Sequence, residues 1–336
     1  MLNIKLTLIS LLATLLLTAC PKSDNKPNAS PASVSTRPSA ESSTTRPIPG
    51  AIAFNGERAM DHVRKQVEIG PRIPGSPELA RTREYIINEL KKSGFAVTTD
   101  EFTASTPVGE KKMVNITGEL PGESPDIVII GSHYDTKFYK DMYFVGANDP
   151  AASVGTLLEL GRALSGTNPK PKLTYRLVFF DGEEAFCELW DECGKPDAPD
   201  NTYGSRHYVS ELSRKGEFAR VKSLILLDLM GYKNLELGRD TMSTKWLQDV
   251  IWQTAKEMGH GSIFLDRPED VGGDDHEPFL RAGIDSVDLI QLNGYPHWHK
   301  ATDTIDKVSA QSMKIVGNVV LTSLPRIEQR IISKRR

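Results

Sequence analysis

The sequence predicts an α/β protein with a three-layer α/β/α architecture, in which helices cover both faces of a central, mostly parallel (mixed) sheet. Short apolar runs alternate along the chain with segments of helical periodicity, as expected of buried parallel strands and their connecting helices. The sequence contains no internal repeat. Its globular part, residues 51–336, is long enough for a deep core and suits a single α/β domain better than two.

The first four predicted elements are helices over 51–70 and 76–94 and strands over 95–102 and 112–120. In the first helix, apolar residues recur on one face and a glycine marks the end. The second helix begins with the capping hydroxyl of Ser76, followed by a first-turn proline and an early acid. Pro121 and Gly122 mark the turn that leads to the next strand.

The later predicted strands are four short runs at 127–130, 177–180, 224–227 and 284–290. The first three are apolar throughout, whereas Asp285 and Asp288 interrupt the fourth. The accompanying helices are predicted at 151–164, 203–213, 245–258 and 309–331. Strands and helices therefore alternate, which favours a sheet covered on both faces.

The N-terminus reads as a targeting segment, and residues 1–19 are predicted to be a signal peptide. Lys5 precedes a mostly apolar run from Leu6 to Ala19, which is shorter than the about 20 residues that span a bilayer. Leu17-Thr18-Ala19-Cys20 resembles the bacterial lipobox, which implies cleavage before Cys20 and a lipid on that cysteine. We therefore expect anchoring in the bacterial cell envelope, facing the periplasm. An ordinary secretory signal with an incidental cysteine is the alternative.

Residues 20–50 are predicted to be the lipidated Cys20 and a disordered tether, and residues 51–336 the globular domain. The segment 21–50 contains six Pro, seven Ser and three Thr but no Leu, Met or aromatic residue, so it lacks the apolar surface that folding requires. Lys5 and the tether carry +3 of the formal net charge of −3, which leaves −6 on residues 51–336. This charge balance does not indicate a nucleic-acid-binding protein.

Acidic residues and histidines stand where the predicted strands end: His133-Tyr134-Asp135, Asp181-Gly182-Glu183-Glu184, Asp228 and His297-Trp298-His299, with Asp149 before the helix at 151. Ligands bind outside the carboxyl ends of parallel strands, so these groups should converge at one edge. Taken singly, Asp149 could be a helix cap and Glu183-Glu184 a solvated pair. An uncompensated carboxylate after an apolar strand is costly, however. Together the groups predict a catalytic metal site, and their nitrogen and oxygen ligands suit zinc.

At these residues the chain resembles the zinc-dependent aminopeptidase superfamily and, within it, the glutaminyl cyclases. The resemblance extends from about Arg58 to Ile331 and implies a zinc-aminopeptidase-like fold. The matching stretches are Pro74-Gly75-Ser76-Pro77, His133-Tyr134-Asp135, Phe144-Val145-Gly146-Ala147-Asn148-Asp149, Phe179-Phe180-Asp181-Gly182-Glu183-Glu184-Ala185-Phe186, Tyr203-Gly204-Ser205-Arg206-His207, Leu226-Leu227-Asp228-Leu229-Met230-Gly231, Asp274-Asp275-His276-Glu277-Pro278-Phe279-Leu280 and Trp298-His299.

The resemblance also implies roles for individual residues. One zinc ion is expected, with three ligands: Asp149, Glu184 and His299. Glu183 would be the general acid/base, beside a hydrogen-bonded acidic pair formed by Asp228 and Asp274. Trp298 would line the substrate pocket, and Trp190 is a second pocket candidate whose spacing from Glu184 is one residue longer than in the animal enzymes.

The implied reaction is zinc-dependent cyclisation of an N-terminal glutamine to pyroglutamate with release of ammonia. The expected partners are peptides or proteins with N-terminal glutamine, and a monomer is favoured. In this chemistry zinc polarises the side-chain amide, and Glu183 moves a proton from the attacking amine to the leaving group.

Two alternatives remain open at the level of sequence. A two-zinc aminopeptidase would use five ligands, all of which are present: His133, Asp149, Glu184, Asp228 and His299. The segment 187–201 before Tyr203-Gly204-Ser205, the form of 179–186 and the Trp298-His299 pair favour the cyclase. The second alternative is a non-catalytic peptide-binding lipoprotein on the same fold.

Cys187 and Cys193 lie six residues apart in the loop after Glu184. In an oxidising periplasm they are expected to form a disulfide that shapes the rim of the pocket, with two free thiols as the alternative.

Overall fold

The computed structural model describes residues 46–190 and 192–334. The predicted signal peptide, Cys20 and most of the predicted tether lie outside the described residues. The described chain falls within one compact unit, and Ile48 near its start is 3% exposed and packs into the main core. No described helix combines the length and apolar character that crossing a membrane requires.

The α-helices are α1 (Gly56–Ile69), α2 (Pro77–Lys92), α3 (Ser153–Ser165), α4 (Tyr203–Arg214), α5 (Lys245–Glu257), α6 (Glu277–Arg281) and α7 (Ala310–Ser333). The strands are β1 (Ala96–Thr106), β2 (Gly109–Leu120), β3 (Ser124–His133), β4 (Leu173–Phe180), β5 (Gly194–Lys195), β6 (Ala198–Pro199), β7 (Val221–Leu227), β8 (Leu237–Asp240), β9 (Phe264–Glu269) and β10 (Asp285–Leu289).

The central sheet has six strands in the order β1-β2-β4-β3-β7-β10. β4, β3, β7 and β10 run parallel to one another, and the hairpin β1–β2 adds to β4 in the antiparallel direction. β5 pairs with β6 and β8 with β9 outside this sheet. The carboxyl ends of β3, β4, β7 and β10 therefore lie at the same edge, where a crevice can form.

Alternating side chains of the strands face two separate cores. Val128 and Ile130 point into the larger core, which also holds the buried faces of α1, α2, α3, α5 and α7. Ile127 and Ile129 point into a smaller core with Tyr208 of α4 and residues around α6. Both faces of the sheet are thus covered, and the predicted three-layer α/β/α fold is confirmed.

The main differences from the predicted elements lie at their ends. α1 begins at Gly56 rather than near 51, because the side chain of Asn55 accepts hydrogen bonds from the backbone of Glu57 and Arg58. Ser76 caps α2 as predicted. β2, β3, β4 and β7 extend beyond their predicted runs because ladder pairing continues through polar residues, whereas β10 is one residue shorter at each end than predicted. The short pairs β5–β6 and β8–β9 and the five-residue helix α6 were not predicted.

Candidate metal centre and active site

The residues predicted at the strand ends converge at one edge of the sheet. His133 is the last residue of β3, Glu183 and Glu184 follow β4, and Asp228 follows β7. Asp149 lies in a π-helical turn, Ala147–Ala152, that leads into α3, and it departs from helical geometry with φ −113° and ψ 89°. This departure turns the carboxylate of Asp149 to the same edge, where it lies near the other side chains.

Asp149, Glu184 and His299 form the first cluster of potential metal ligands. One donor atom from each lies within 4.8 Å of the other two. His299 Nε2 is 3.2 Å from Glu184 Oε1 and 3.5 Å from Asp149 Oδ2. Two carboxylates and one imidazole nitrogen thus face a common point, an arrangement typical of a catalytic zinc site with an open position.

A second cluster shares Asp149 and adds His133 and Asp228. His133 Nε2 lies 3.2 Å from Asp149 Oδ1 and 3.2 Å from Asp228 Oδ1. His133 is 1% exposed and lies behind the pocket, whereas His299 lines it. All five residues of the two-zinc hypothesis are therefore close together, but they differ in their access to the cavity.

The first cluster fits a cation on the basis of its own chemistry. Glu184 is 3% exposed, and among the described residues its Oε2 accepts no hydrogen bond, although His299 Nε2 lies 3.2 Å from it. Burial raises the pKa of Glu184, but the neighbouring His299 outweighs it, so the pKa of this carboxyl lies below its usual value. A buried, ionised carboxylate with an unused oxygen is costly unless a cation or donor compensates it. A zinc ion bound here would supply that charge.

Glu183 lies next to this cluster in the pocket wall. Its backbone N–H and that of Glu184 donate to the two carboxylate oxygens of Asp135, at 3.1 and 3.3 Å. Glu183 Oε2 is 3.6 Å from His133 Nδ1. Burial raises the pKa of Glu183 well above its usual range; His133 opposes this shift, and Glu184 and Asp274 add to it. A buried carboxyl whose pKa is raised and which lies beside candidate metal ligands is a candidate for proton transfer to and from a substrate.

Further buried acids extend behind the pocket from Asp274, which lines the cavity. Burial and the charge of Asp228 raise the pKa of Asp274 to about 7. Carboxyl oxygens of Asp274 and Asp288 lie within 4.8 Å of each other and of an imidazole nitrogen of His276. His276 Nε2 in turn lies 3.1 Å from Asp240 Oδ2. The charge of Asp228 acts on Asp274, but no hydrogen bond between the two is found among the described residues, so the predicted hydrogen-bonded pair stays a prediction. Asp274 is also the front of a deeper acidic cluster.

The pocket itself is a cavity of about 200 Å³ with an acidic floor and apolar walls. Besides the acids and His299, its lining residues include Trp190, Leu229, Val271, Ile290, Leu292 and Trp298. Both predicted tryptophans therefore contribute to the cavity. Apolar walls around a charged site restrict water and strengthen electrostatic interactions inside it.

His299 is held in place by its aromatic neighbours. Its backbone has φ 54°, a left-handed conformation that is uncommon for residues other than glycine. Trp298 stacks on the imidazole with ring centroids 4.2 Å apart, and the Tyr139 hydroxyl donates to the carbonyl of His299 at 3.3 Å. Strain of this kind persists at functional sites where the surroundings fix the conformation.

The backbone around Asp149 is held in position by two residues that the sequence analysis did not identify. Asp303 accepts the backbone N–H groups of Asn148 and Asp149 at 2.9 and 3.1 Å, and it also accepts from the Tyr295 hydroxyl. The fully buried Arg72 donates to the carbonyls of Val145 and Gly146, just before the turn. No local motif marks either residue, because their partners lie far away in the sequence.

The loop after Glu184 is fastened at several points. Cys187 and Cys193 form the expected disulfide. The Cys187 N–H donates to Asp200 at 2.9 Å, and Lys137 Nζ donates to the carbonyls of Ala185 and Cys187. This loop places Trp190 in the pocket wall and so forms part of its rim.

Comparison with known proteins agrees with this geometry. The model of peptidase family M28 matches residues 115–324, more than half of the chain. The glutaminyl-peptide cyclotransferase of Bos taurus is 29% identical over 282 residues, which cover 74% of this chain and 76% of that protein.

Solved structures of similar proteins cover a larger share of the chain. A glutaminyl cyclase from an Acidobacteriales bacterium superposes with a TM-score of 0.76 and 34% identity, covering 83% of this chain and 97% of that one. A leucine aminopeptidase precursor from Bacteroides thetaiotaomicron gives a TM-score of 0.75 and 28% identity, covering 82% and 99%. The fold is therefore shared by proteins named for both activities weighed above.

Proposed function

The chain belongs to peptidase family M28 and, within it, to the glutaminyl cyclases, and on this premise we propose that it cyclises N-terminal glutamine to pyroglutamate with release of ammonia. The observation that carries the proposal is the position of Glu183. Its carboxyl lines an apolar-walled cavity directly beside the cluster of Asp149, Glu184 and His299. The substrates are peptides or proteins that begin with glutamine.

We propose that Asp149, Glu184 and His299 hold one zinc ion. When bound, this ion supplies a Lewis acid that polarises the carbonyl of the glutamine side chain. Two observations support the assignment to this cluster: Glu184 Oε2 has no hydrogen-bond partner among the described residues, and all three side chains line the cavity. His133 lies behind the cavity, so the second cluster has poorer access to a ligand.

Glu183 is the proposed general acid/base. It accepts a proton from the α-amino group while that nitrogen forms its bond to the amide carbon of the same residue. It then donates the proton to the departing amide nitrogen, the carbon–nitrogen bond of the amide breaks, and ammonia leaves. Both reacting groups belong to one residue, so the pocket mainly needs to orient them.

The remaining residues orient the substrate and exclude water. Trp190 and Trp298 are proposed to pack against the glutaminyl residue in the pocket. Excluding water matters because its attack on the amide would give glutamate instead of the ring. Asp228 and Asp274 are proposed to set the charge beside Glu183, since Asp274 raises the pKa of that carboxyl.

The proposal is tested by offering purified protein two substrate classes, glutaminyl peptides and aminoacyl-nitroanilides. Ammonia release with a pyroglutamyl product supports the cyclase. Nitroaniline release without ammonia identifies an aminopeptidase, the function that the second cluster would favour. Peptide binding without either reaction, at full zinc loading, would indicate a binding protein.

Asp303 offers a test of how the Asp149 turn is held. We expect Asp303→Asn to weaken zinc binding by roughly 10- to 100-fold, the usual effect of losing an outer partner of a metal ligand. The two N–H groups use different oxygens of Asp303, and in asparagine one of these becomes an amide nitrogen that cannot accept. Competition with a chromophoric chelator measures this affinity. Asp306→Asn, at a nearby exposed acid, is the control. Equal zinc affinities in the two variants would contradict the role of Asp303.

We also propose that a lipid on Cys20 anchors the protein in the cell envelope, facing the periplasm. The support is the lipobox-like Leu17-Thr18-Ala19-Cys20. The Cys20→Ser variant is expected to incorporate no labelled fatty acid and to leave the membrane fraction, whereas Ser23→Ala should behave as wild type. Labelling that persists in Cys20→Ser would show that the anchor is elsewhere.

A further inference from the structure

We propose that a groove beside the active-site pocket binds the second and third residues of the substrate peptide and favours acidic side chains there. This inference rests on the proposed function. The groove, called here the exit groove, has a volume of about 400 Å³. Its walls are the hairpin β5–β6, with Lys195 and Pro196, and the helix α6, with Glu277 and Arg281; Gly272 lies between the walls.

The exit groove adjoins the pocket. Trp190 and Gly272 line both cavities, so the two cavities border on the same two residues. The indole Nε1 of Trp190 and Oε2 of Glu277 lie 3.8 and 3.0 Å from the position that a Cβ at Gly273 would occupy. The two cavities are therefore adjacent at the Gly272–Gly273 segment.

A cyclase that acts on peptides needs a path for the chain that follows the N-terminal glutamine. The pocket of about 200 Å³ ends in buried acids, so it offers room for the reacting residue but no route onward through the protein. The peptide chain after the glutamine must consequently leave at the mouth. The exit groove borders the pocket at Trp190 and Gly272, and its volume of about 400 Å³ is large enough to take further residues.

The wall formed by the hairpin is held rigidly before any peptide binds. The disulfide of Cys187 and Cys193 closes the loop, and Asn201 Nδ2 donates to the Trp190 carbonyl at 3.2 Å. Arg206 donates to the carbonyl of Pro199 at 2.9 Å. A wall fixed in this way lowers the ordering cost of binding an extended peptide.

Gly272 is exposed, and because its N–H already donates to Asp270 at 3.1 Å, its carbonyl is the backbone group that it can offer to a ligand. It has φ +76°, and among the described residues no atom other than those of its chain neighbours lies within 4 Å of the position where its Cβ would be. Trp190, Pro196 and Pro199 add apolar surface on the opposite side. The groove therefore combines accessible backbone with apolar side chains, as sites for extended peptides commonly do.

The charge of the exit groove determines which substrate side chains it prefers after the glutamine. Arg281 Nε donates to Glu277 Oε1 at 2.8 Å, so these two charges offset each other. Lys195 is exposed and forms no ion pair with any of the described residues. The groove lining thus carries a net +1 on a domain of −6. An acidic side chain after the glutamine would be attracted to it, and a basic one repelled.

The test compares ammonia release from glutaminamide and from the amides of Gln-Ala-Ala-Gly, Gln-Glu-Glu-Gly and Gln-Lys-Lys-Gly. For the wild type at low salt, we expect higher kcat/KM for the tetrapeptides than for glutaminamide. The acidic peptide should exceed the basic one by about two- to fivefold, the size of an exposed charge interaction. This preference should shrink at high salt.

Lys195→Glu should reverse the order of the acidic and basic peptides. Lys314→Glu makes the same charge change on α7, outside the groove, and should leave the order as in wild type. Because the ratio is taken within each variant, differences in active protein cancel. A wild-type acidic-to-basic ratio of one, tetrapeptides no better than glutaminamide, or equal ratios in the two variants would overturn the inference. Absence of ammonia from every substrate, glutaminamide included, would overturn the proposed function and the inference with it.

Discussion

The Glu183→Gln variant is expected to lose about 10²- to 10⁴-fold in the rate of ammonia release from a glutaminyl peptide, the range usual for removing a general acid/base. Glutamine keeps the shape of the side chain and can still hydrogen-bond, but it cannot accept and return the proton. The backbone N–H of residue 183 still reaches Asp135, so the loop should keep its conformation. Steady-state kcat measures the effect.

Zinc content and circular dichroism show whether the variant is otherwise intact. Glu188→Gln, an exposed acid in the following loop, is the matched control and should retain wild-type activity. If Glu183→Gln kept more than a small fraction of the activity while Glu188→Gln kept all of it, Glu183 would not be the proton carrier. If both lost activity equally, the effect would belong to the loop rather than to the carboxyl.

The second large effect is expected at His299. Replacing it by alanine removes the imidazole from the cluster with Asp149 and Glu184 and leaves two carboxylates facing each other. We expect zinc affinity to fall by more than the roughly 10- to 100-fold typical of an outer partner, and cyclase activity to fall with it. Zinc content after dialysis, measured by mass spectrometry of the metal, provides a readout independent of activity.

His133→Gln is the matched comparison because it changes only the second cluster. Glutamine can still donate toward Asp149 and Asp228, which limits the cost of leaving buried carboxylates unpaired. If the first cluster holds one zinc ion, the wild type and His133→Gln bind about one per chain. A wild type with about two, falling to about one in His133→Gln, would contradict the single-zinc assignment and favour the aminopeptidase arrangement.

The fold was predictable because its signals are local. Apolar runs such as 127–130 and 224–227 identify buried strands wherever they pack, and they lie within β3 and β7. The short pairs β5–β6 and β8–β9 were missed because they have only two to six residues per strand and little apolar periodicity. The start of α1 was misplaced because the cap at Asn55 carries more weight than the apolar pattern before it.

The functional site likewise contains residues that the sequence identifies and residues that it does not. Glu183, Glu184 and Asp228 stand directly after buried strands, so the rule for parallel sheets brings them together without further information. Asp303, which positions Asp149, lies 154 residues away and follows no strand. Asp288 lies inside β10, where the sequence shows only an interruption of an apolar run, yet it is fully buried beside Asp274.

The sequence by itself therefore determined the α/β/α class, the edge of the sheet that carries the chemistry, and the ligand types that suit zinc. These follow from periodicity and from the direction of parallel strands, which are properties of the local chain. Only the tertiary structure decided which carboxylate faces which histidine, how Asp303 holds Asp149, and that the exit groove borders the pocket at Trp190 and Gly272. The physical reason is that hydrogen bonds and cavities depend on ångström-scale distances between residues far apart in sequence, and packing alone sets those distances.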